Sequence, residues 1–474
     1  MSGLVGIIGS SSVANQIYDS LIQLQHRGQD GAGIITCNER LHFKTGSGYV
    51  RDIFQQRHID RLLGVMGIGH NKYPTSGEKK DPYAIQPFWT SVPYGIAFAH
   101  CGALVNKKSL ANLIVNKRRR YLNTSNDGEI LMQLFSSELE NRLVEKSKED
   151  FFELLKESVS AIFKLAHGSY SVLALIKGYG LIAFRDPHGI RPLVMGERVG
   201  PKGIKEYIIA SEDVMFYMLG YTFVRDIEPG ELIFIDNNGT VQSQRLMVKD
   251  FNPCIFEYVY FSRPDGMQNA VSVYRCRLRM GENLGKRWKA IYKDFRPDVI
   301  IPAPATANTM ALAMAKELGV NYSDGLYKNP FIGRTFIMSN QEQRKQSVRY
   351  KLVPQQLEIR KKNVMIVDDS IVRGTTSKEI VNMVRNFGAK EIYFVSACPP
   401  VKQSCFYGID IPTKEELIAA NNDQEQIRKY LNVEKLMFQT IEDLIEAVTR
   451  KGEHKIDAPC YACLGGPYCQ GVKK

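Results

Sequence analysis

The sequence lacks any apolar run that could cross a membrane and any segment typical of secretion. No uninterrupted apolar stretch approaches the roughly 18–20 residues that a bilayer-spanning helix needs. The opening segment 1–10 has no basic cluster ahead of an apolar core, so it does not resemble a signal peptide. Internal repeats and low-complexity segments are also missing. We therefore expect a cytoplasmic protein without a membrane partner.

Blocks of like charge are absent as well, although the chain is basic overall. There are 62 lysines and arginines against 50 aspartates and glutamates, which gives a net charge of +12. The short basic runs 117–120 and 360–362 lack the interleaved aromatic residues of a groove for single-stranded nucleic acid. This distribution favours solvated helix faces and a site for an anionic small molecule over a nucleic-acid partner.

The nine cysteines do not form the even set expected of a disulfide framework. An odd number in a long intracellular chain favours buried thiols or metal ligands instead. One Cys-x-x-Cys pair, Cys460 and Cys463, lies near the end of the sequence.

The chain of 474 residues is long enough for roughly two to four domains, and its pattern changes near residue 250. Before that point, short apolar strands are separated by glycine-rich turns and interrupted by two helical patterns. From about residue 253, strand-like runs alternate with helical patterns, as in a parallel, doubly wound sheet. The last stretch, 416–448, has a helical pattern. We therefore expect a division into 1–250 and 251–474.

One motif in the second part predicts a phosphate site. Four apolar residues lead into two adjacent acids, Asp368 and Asp369, and a small-residue loop then opens a helix. Backbone N–H groups at a helix N-terminus can hold a phosphate, and carboxylates after a strand suit a sugar diol or hydrated Mg²⁺. The alternative is a simple helix cap by serine or threonine. A cap, however, requires neither the two acids nor the run Gly374-Thr375-Thr376-Ser377.

This unit resembles the phosphoribosyl-pyrophosphate (PRPP) motif of type I phosphoribosyltransferases, and further segments narrow the resemblance to glutamine PRPP amidotransferases. These segments are Gln25-His26-Arg27-Gly28-Gln29-Asp30, Asp186-Pro187-His188-Gly189-Ile190-Arg191-Pro192-Leu193, Ala210-Ser211-Glu212, Phe256-Glu257-Tyr258-Val259-Tyr260-Phe261, Arg263-Pro264-Asp265, Gly333-Arg334-Thr335-Phe336-Ile337 and the basic stretch 344–351. The resemblance implies an α+β N-terminal-nucleophile (Ntn) glutaminase-like domain at 1–250. It implies an α/β type I phosphoribosyltransferase domain with a C-terminal tail at 251–474.

In the second domain, the resemblance implies a site for PRPP and Mg²⁺. The residues implied for PRPP are Asp368, Asp369, Arg373, Gly374, Thr375, Thr376, Ser377 and, in a loop that closes over the substrate, Arg334. The residues implied for Mg²⁺ are Thr306, Asp368 and Asp369. The pyrophosphate loop would be 302–308, where Ala305 and Ala307 replace residues that are usually polar or acidic. We therefore expect fewer protein contacts to the pyrophosphate.

In the first domain, the resemblance implies a glutaminase site that has lost several of its functional groups. Ser2 stands where the family has a nucleophilic cysteine, which uses its own α-amine as base. Lys72 replaces the arginine that holds the glutamine carboxylate, and lysine lacks the bidentate fork. Cys101 and Ala103 replace the asparagines of the oxyanion segment. Loss of one oxyanion donor costs about 10²–10³ in rate.

Gly102 and Asp127 remain as family-like contacts to glutamine. A change at Ser2 alone would suit an engineered trap or a serine nucleophile, as in other Ntn hydrolases, but the accompanying losses weigh against both. Cys101 is not an obvious substitute nucleophile, because it would lack the α-amine base. We therefore expect glutaminase activity to be weak or absent.

Four cysteines stand where iron–sulfur members of the family have theirs. They are Cys254, Cys405, Cys460 and Cys463. The resemblance implies a [4Fe–4S] cluster that fastens the C-terminal tail to the domain junction. Two alternatives stay open: a structural Zn²⁺ on the same thiolates, or unconnected core cysteines.

Together these implications predict an amidophosphoribosyltransferase-type enzyme, a glycosyltransferase that forms 5-phosphoribosylamine from PRPP at the first step of de novo purine synthesis. The nitrogen donor would be ammonia or glutamine, with ammonia favoured by the altered glutaminase site. Purine nucleotides would act as inhibitors, and the chain would form a homo-oligomer. Two alternatives remain. One is a catalytically inactive paralogue that binds PRPP or nucleotides and regulates or assembles with an active amidotransferase. The other is a phosphoribosyltransferase with a different amine acceptor.

Overall fold

The computed structural model describes residues 2–73, 81–145, 151–329, 352–450, 456 and 458–470. In the first part of the chain these residues form two antiparallel sheets. The strands are β1 (Gly3–Ile8), β2 (Gly31–Cys37), β3 (Leu41–Ser47), β4 (Met66–Lys72), β5 (Phe88–Thr90), β6 (Ile96–Leu104), β7 (Gly168–Ile176), β8 (Gly180–Arg185), β9 (Val194–Val199), β10 (Lys205–Ala210), β11 (Thr222–Asp226), β12 (Glu231–Asp236) and β13 (Val241–Arg245).

The seven-stranded sheet has the order β11-β9-β10-β1-β4-β2-β3, and the six-stranded sheet has the order β13-β12-β8-β7-β6-β5. The helices of this part are α1 (Ala14–Gln23), α2 (Val50–Ile53), α3 (Gln56–Ile59), α4 (Lys107–Asn112), α5 (Asp127–Glu145) and α6 (Phe151–Leu165). A π-helical turn, Leu113–Lys117, follows α4.

The two sheets pack face to face, with helices on their outer faces. Leu4 of β1 and Leu173 of β7 belong to one buried cluster between the sheets. Ile17 of α1 packs with the outer face of the seven-stranded sheet, and Val159 of α6 packs with that of the six-stranded sheet. Strands that are buried on both faces are apolar at nearly every position, so the sequence predicts the strands but not which face of each packs against the other sheet. Leu4 of β1 lies in the core between the sheets, and Ser2, just before β1, lies at the edge of that core.

The second part contains a five-stranded parallel sheet and two antiparallel pairs of short strands, β14 with β15 and β18 with β19. The strands are β14 (Met267–Gln268), β15 (Val271–Ser272), β16 (Val299–Pro302), β17 (Asn321–Tyr322), β18 (Leu326–Lys328), β19 (Leu352–Pro354), β20 (Asn363–Asp368), β21 (Glu391–Ser396) and β22 (Lys435–Phe438). The helices are α7 (Val273–Ile291), α8 (Asn308–Leu318), α9 (Gln356–Ile359), α10 (Thr375–Asn386), α11 (Ile418–Asn421), α12 (Gln424–Leu431) and α13 (Ile441–Thr449). A π-helical turn, Glu257–Phe261, precedes them.

The parallel sheet has the order β17-β16-β20-β21-β22, with helices on both faces. Successive residues of β20 point to opposite faces: Met365 belongs to the cluster that includes Met280 of α7, whereas Ile366 packs with Ile380 of α10. This alternation explains why the middle of β20, 364–367, is apolar at every position, and it confirms the predicted doubly wound sheet. The carboxyl end of β20 delivers Asp368 to the edge of the sheet.

The prediction that 416–448 is helical is wrong in its middle. The strand β22 lies between α12 and α13 and pairs in parallel with β21, so that Met437 faces Val395. Lysine, leucine and methionine are good helix formers, so only the helix caps Asn432 and Thr440 separate this segment from its helical neighbours. The unpaired edge of β21 decides the outcome, since local propensity is weaker than tertiary context.

Contacts of Glu257 and of Gln470 are among those that join the two parts of the chain. Buried Glu257 lies within ion-pair distance of Arg27 and Arg191, at 2.9 and 3.3 Å. Near the C-terminal end, the side-chain amide of Gln470 brackets Gly168 at the start of β7: it accepts from the Gly168 N–H at 2.7 Å and donates to the Gly168 carbonyl at 2.7 Å. No helix among the described residues is long and apolar enough to cross a membrane.

Candidate functional site

A cavity of about 430 Å³ opens at the carboxyl ends of the parallel strands. Its lining includes the described residues that the sequence predicts for PRPP and Mg²⁺: Thr306, Asp368, Asp369, Arg373, Gly374, Thr375, Thr376 and Ser377. Arg334 and the stretch 344–351 lie outside the described residues. The crevice beyond the carboxyl ends of parallel strands is the usual ligand site of such sheets.

The two adjacent carboxylates are buried, each only 9% exposed. Burial, and then the charge of Asp369, raise the pKa of Asp368 well above its usual value. Burial also raises the pKa of Asp369 to about 6, against the opposing effects of Ser370, Arg277 and Thr306. Burial destabilises the charged form of both carboxylates, and the neighbouring protein groups offset only part of this effect. A divalent cation bound between them would stabilise their negative charge.

The loop after these acids forms an anion cradle at the start of α10. Gly374 has φ +75°, and a Cβ there would lie 2.7 Å from Cδ1 of Ile418, so a larger residue would be strained at this position. The amides of Thr375 and its neighbours open a helix of 12 residues. Backbone N–H groups and the helix dipole at such an end favour a phosphate.

A second, much smaller cavity of about 20 Å³ lies at the start of β1. This volume holds about one water molecule, so glutamine could enter only after the walls separate. Its lining residues are Ser2, His70, Lys72, Tyr73, Gln86, His100, Gly102, Asn126 and Asp127. The predicted residues Ser2, Lys72, Gly102 and Asp127 therefore lie together here.

Two polar side chains of this cavity, Lys72 and Asp127, form hydrogen bonds or ion pairs with neighbouring residues of the protein. Lys72 Nζ donates to the carbonyl of Asp81 at 3.2 Å. Asp127 accepts from the amide of Leu104 at 2.8 Å and pairs with Lys107 Nζ at 2.8 Å. Both side chains thus have protein partners, which a glutamine substrate would have to share or displace.

The oxyanion segment offers no side-chain amide. Gly102 has φ +146°, and a Cβ there would lie 2.0 Å from the carbonyl oxygen of Ser169, so glycine is required. The amide of Ala103 donates to Ser169 Oγ at 3.3 Å. Ala103 also lies against Gly408, whose added Cβ would be 3.3 Å from that of Ala103.

The structure adds a contact that the sequence did not predict, between Cys101 and the main-chain nitrogen of Ser2. The main-chain nitrogen of Ser2 donates to Cys101 Sγ at 3.4 Å, and Sγ donates to the Ser2 carbonyl at 3.1 Å. Antiparallel pairing of β1 with β4 and of β6 with β7, followed by face-to-face packing, produces this contact between residues 99 positions apart. The family resemblance places Ser2 and Cys101 at one site, but no local sequence pattern encodes the contact between them.

Tyr73 is a residue that the sequence argument missed, and it lines both cavities. Its main-chain N–H donates to Ser2 Oγ at 3.5 Å, and its ring lies edge-on to Phe261 with centroids 5.9 Å apart. Arg277 was missed as well, although it donates to the carbonyls of Tyr258 and Ser262 and acts on the pKa of Asp369. Tyr73 meets Phe261 through packing between the two parts of the chain, whereas Arg277 meets its partners within the second part.

The four cysteines implied for a cluster lie near one another. Cys254 and Cys460 form a parallel β-bridge, with the Cys460 N–H donating to Pro253 at 2.8 Å. Burial, followed by the neighbouring thiols Cys405 and Cys254, raises the pKa of Cys463. Burial raises the pKa of Cys254 to about 11, although Arg191 acts in the opposite direction.

Within the described ranges, no group of three or more His, Cys, Asp or Glu side chains is arranged to hold a metal ion. The surroundings of the thiols nevertheless suit an anionic centre. Arg191 is fully buried, and after the opposing effect of burial its charge is stabilised chiefly by Cys254 and Glu257. A buried cation beside several thiols would offset the negative charge of a four-thiolate centre.

Comparison with known proteins agrees with this geometry. Residues 281–407 match the family model of the phosphoribosyl transferase domain. The amidophosphoribosyltransferase of Pseudomonas aeruginosa is 46% identical over 99% of this chain and 93% of its own length. The enzyme of the same name from Saccharomyces cerevisiae is 43% identical over 100% of this chain and 93% of its own.

A solved structure resembles the whole chain. Glutamine PRPP amidotransferase from B. subtilis, complexed with ADP and GMP, superposes with a TM-score of 0.84 at 34% identity, covering 98% of this chain and 97% of that one. The fold is therefore an Ntn glutaminase-like domain followed by a phosphoribosyltransferase domain, as the sequence predicts. With identity of this level along its full length, the chain belongs to the amidophosphoribosyltransferase family.

Proposed function

We propose that this protein forms 5-phosphoribosylamine from PRPP in the cytoplasm, with Mg²⁺, and that ammonia is a better nitrogen donor than glutamine. The two parts would be 1–250 and 251–474. The observation that carries the transfer reaction is the buried pair Asp368 and Asp369, set beside the anion cradle of α10. The family's shared activity supports the enzyme over an inactive regulatory paralogue.

The proposed chemistry is mainly electrostatic. The amides at the start of α10 would hold the 5′-phosphate, while Asp368 and Asp369 would orient the ribose hydroxyls. Mg²⁺, held by the two acids and Thr306, would neutralise the pyrophosphate as the bond to C1 of the ribose breaks. Walls such as Phe256 and Ile409 would keep water from the reacting carbon.

The preference for ammonia rests on the first cavity. Ser2 offers a hydroxyl rather than a thiol, and Ala103 offers no side-chain donor to an oxyanion. Lys72 is engaged with Asp81 and cannot make a bidentate contact with the substrate carboxylate. Each of these changes weakens attack on the glutamine amide, whereas none affects the second cavity.

The test measures pyrophosphate release from PRPP and Mg²⁺ with ammonia or glutamine supplied separately. We expect turnover with ammonia and at least ~10²-fold slower turnover with glutamine, from the loss of oxyanion donors. Asp369→Asn serves as the matched control and should abolish release with either donor. Equal rates with both donors would contradict the donor preference. Binding of PRPP without release under either condition would contradict the transfer reaction and favour a regulatory paralogue.

We also propose that Cys254, Cys405, Cys460 and Cys463 hold a [4Fe–4S] cluster. Their mutual proximity and the buried charge of Arg191 support an anionic centre. Iron, sulfide and zinc analysis of protein purified without oxygen tests this proposal. About four irons per chain with broad visible absorbance would support the cluster. Colourless protein with one zinc would support the structural Zn²⁺ site, and protein without either metal would support unconnected cysteines.

Regulation and assembly are further parts of the proposal. The B. subtilis relative was solved with ADP and GMP, so we propose that purine nucleotides inhibit this protein. We also propose a homo-oligomer. Inhibition of ammonia-dependent release by added ADP and GMP tests the first statement, and light scattering after size-exclusion chromatography tests the second. A monomer of 53.7 kDa would contradict the oligomer.

A further inference from the structure

We propose that Cys101 is the nucleophile through which this protein's remaining glutamine hydrolysis passes, with the main-chain nitrogen of Ser2 as its base. The ligand would be an amino acid with a side-chain carboxamide. This inference deepens the proposed function and rests on it only for the identity of the substrate, because the reactivity of the thiol can be measured without PRPP.

The first support is the distance between a thiol and the main-chain nitrogen of Ser2. Ser2 N lies 3.4 Å from Cys101 Sγ, and Sγ lies 3.1 Å from the Ser2 carbonyl oxygen. When Ser2 is the first residue, this nitrogen is a primary amine, which can accept the thiol proton. In Ntn enzymes the amine and the nucleophile belong to one residue. Here the nitrogen belongs to Ser2, just before β1, and the thiol belongs to β6.

The second support is the charge around the sulfur. Arg27 and Arg191 are both fully buried, and both interact electrostatically with Cys101. Their carboxylate partner Glu257 is shared between them, while Glu212 also pairs with Arg27. Reactive cysteines typically lie in such electropositive surroundings, because the thiolate is the attacking form.

The third support is a polar side chain that points to a missing ligand. His70 is 1% exposed and lines the same small cavity as Ser2. Neither ring nitrogen meets hydrogen-bond geometry with a described residue, although the backbone of His100 lies close enough to raise the pKa of the ring slightly. Burial, followed by the charges of His100 and Lys72, lowers its pKa to about 3, so the ring is neutral and has one N–H. That N–H could donate to the oxygen of a bound carboxamide.

The proposed reaction balances without an added reagent. The Sγ proton moves to the Ser2 amine, and sulfur forms a bond to the side-chain carbonyl carbon of glutamine. The carbon–nitrogen bond then breaks, and the leaving nitrogen takes the proton from the amine and departs as ammonia. Water hydrolyses the thioester, which releases glutamate and restores the thiol. The rate would be low, since Cys101 is only 1% exposed and Ala103 offers no oxyanion donor.

The test is covalent labelling with 6-diazo-5-oxo-L-norleucine, a glutamine analogue that alkylates nucleophiles with loss of N₂. The protein has Ser2 as its verified first residue, and the labelled position is mapped by peptide mass spectrometry. We expect one label per chain on Cys101. A label on Ser2, or no label, would overturn the proposal. This mapping uses the unchanged chain, so a failure of any variant to fold does not affect it.

Two controls separate the role of the amine from general thiol reactivity. A chain with a retained N-terminal extension has an amide in place of the amine, and we expect labelling at least ~10-fold slower. An unchanged rate would overturn the role of Ser2. Cys37→Ala removes another buried thiol of the same part of the chain and should leave the labelling rate unchanged. Ammonia-dependent pyrophosphate release, measured in parallel, reports the proposed function independently of the label.

Discussion

Arg27 and Glu257 form a buried ion pair between the two parts of the chain, with Nη2 and Oε1 2.9 Å apart. Arg27 Nε also donates to the carbonyl of Ser2 at 3.2 Å, and Ser262 Oγ donates to Glu257 at 3.1 Å. Phe261, next to Ser262, lines the larger cavity. A continuous set of hydrogen bonds therefore joins the start of β1 to the wall of the larger cavity, the proposed PRPP site.

Removing the carboxylate of this pair should destabilise the whole protein. In Glu257→Gln, the guanidinium groups of Arg27 and Arg191 stay buried while their shared negative partner is lost. We expect the free energy of unfolding to fall by about 3–5 kcal/mol. Urea denaturation at pH 7 measures this change. Glu197→Gln is the matched control, because Glu197 and Lys205 form an exposed pair at 3.2 Å, worth less than about 1 kcal/mol. Similar losses in the two variants would contradict the prediction.

A methyl group at Gly408 should disturb the contact between the loop that follows Cys405 and the oxyanion segment 101–103. Gly408 has φ +92°, and a Cβ would lie 2.9 Å from the carbonyl carbon and oxygen of Gly102. Gly408→Ala should therefore lower stability by more than the roughly 1–2 kcal/mol of the left-handed backbone alone.

Gly178→Ala isolates the backbone contribution, since Gly178 has φ +81° with nothing within 4 Å of the added Cβ. Thermal unfolding of the two variants gives the comparison. If both lose the same stability, the contact between Gly408 and Gly102 has no energetic weight.

Binding of PRPP with Mg²⁺ should weaken as the pH falls. The pKa of Asp369 is raised to about 6 by burial, so the carboxyl is protonated below that pH and cannot bind a cation. We expect affinity to fall by up to about tenfold for each pH unit below 6 for one bound proton. Isothermal titration between pH 5 and 8 measures it.

Ser370→Ala distinguishes this effect from protonation of the ligand. Ser370 Oγ donates to Asp369 at 2.8 Å and thereby lowers the pKa of that carboxyl. Its removal should move the midpoint of the binding curve to higher pH, whereas titration of PRPP itself is common to both proteins. Coinciding curves would assign the pH dependence to the ligand.

Loss of one proposed cluster ligand should remove the metal. Cys463→Ser is expected to bind no [4Fe–4S] cluster and to lose the visible absorbance, because serine is a poor ligand for such clusters. Cys276→Ala changes a buried cysteine of α7 that is not among the proposed ligands, and it should keep a full complement of iron. Iron content and absorbance of both variants decide the matter, and retained iron in Cys463→Ser would exclude Cys463 as a ligand.

Much of the fold could be predicted from local patterns, because the apolar runs that become β1, β7 and β20 are bounded by turns. Helix α7 was missed although Cys276, Met280, Leu284 and Trp288 recur at helical spacing. The acids and the cradle of the proposed PRPP site follow one another in the chain, so their proximity was predictable. The contacts of Cys101 with Ser2 and of Glu257 with Arg27 arise from packing between distant segments, which no local pattern encodes.

The two hydrogen bonds between Gln470 and Gly168 form late in synthesis of the chain. The two residues are 302 positions apart. A ribosome makes Gly168 before it makes Gln470, so these two hydrogen bonds form only after residue 470 has emerged. A chain truncated before residue 470 would lose both hydrogen bonds to the amide and the carbonyl of Gly168, in a strand of the other part of the chain.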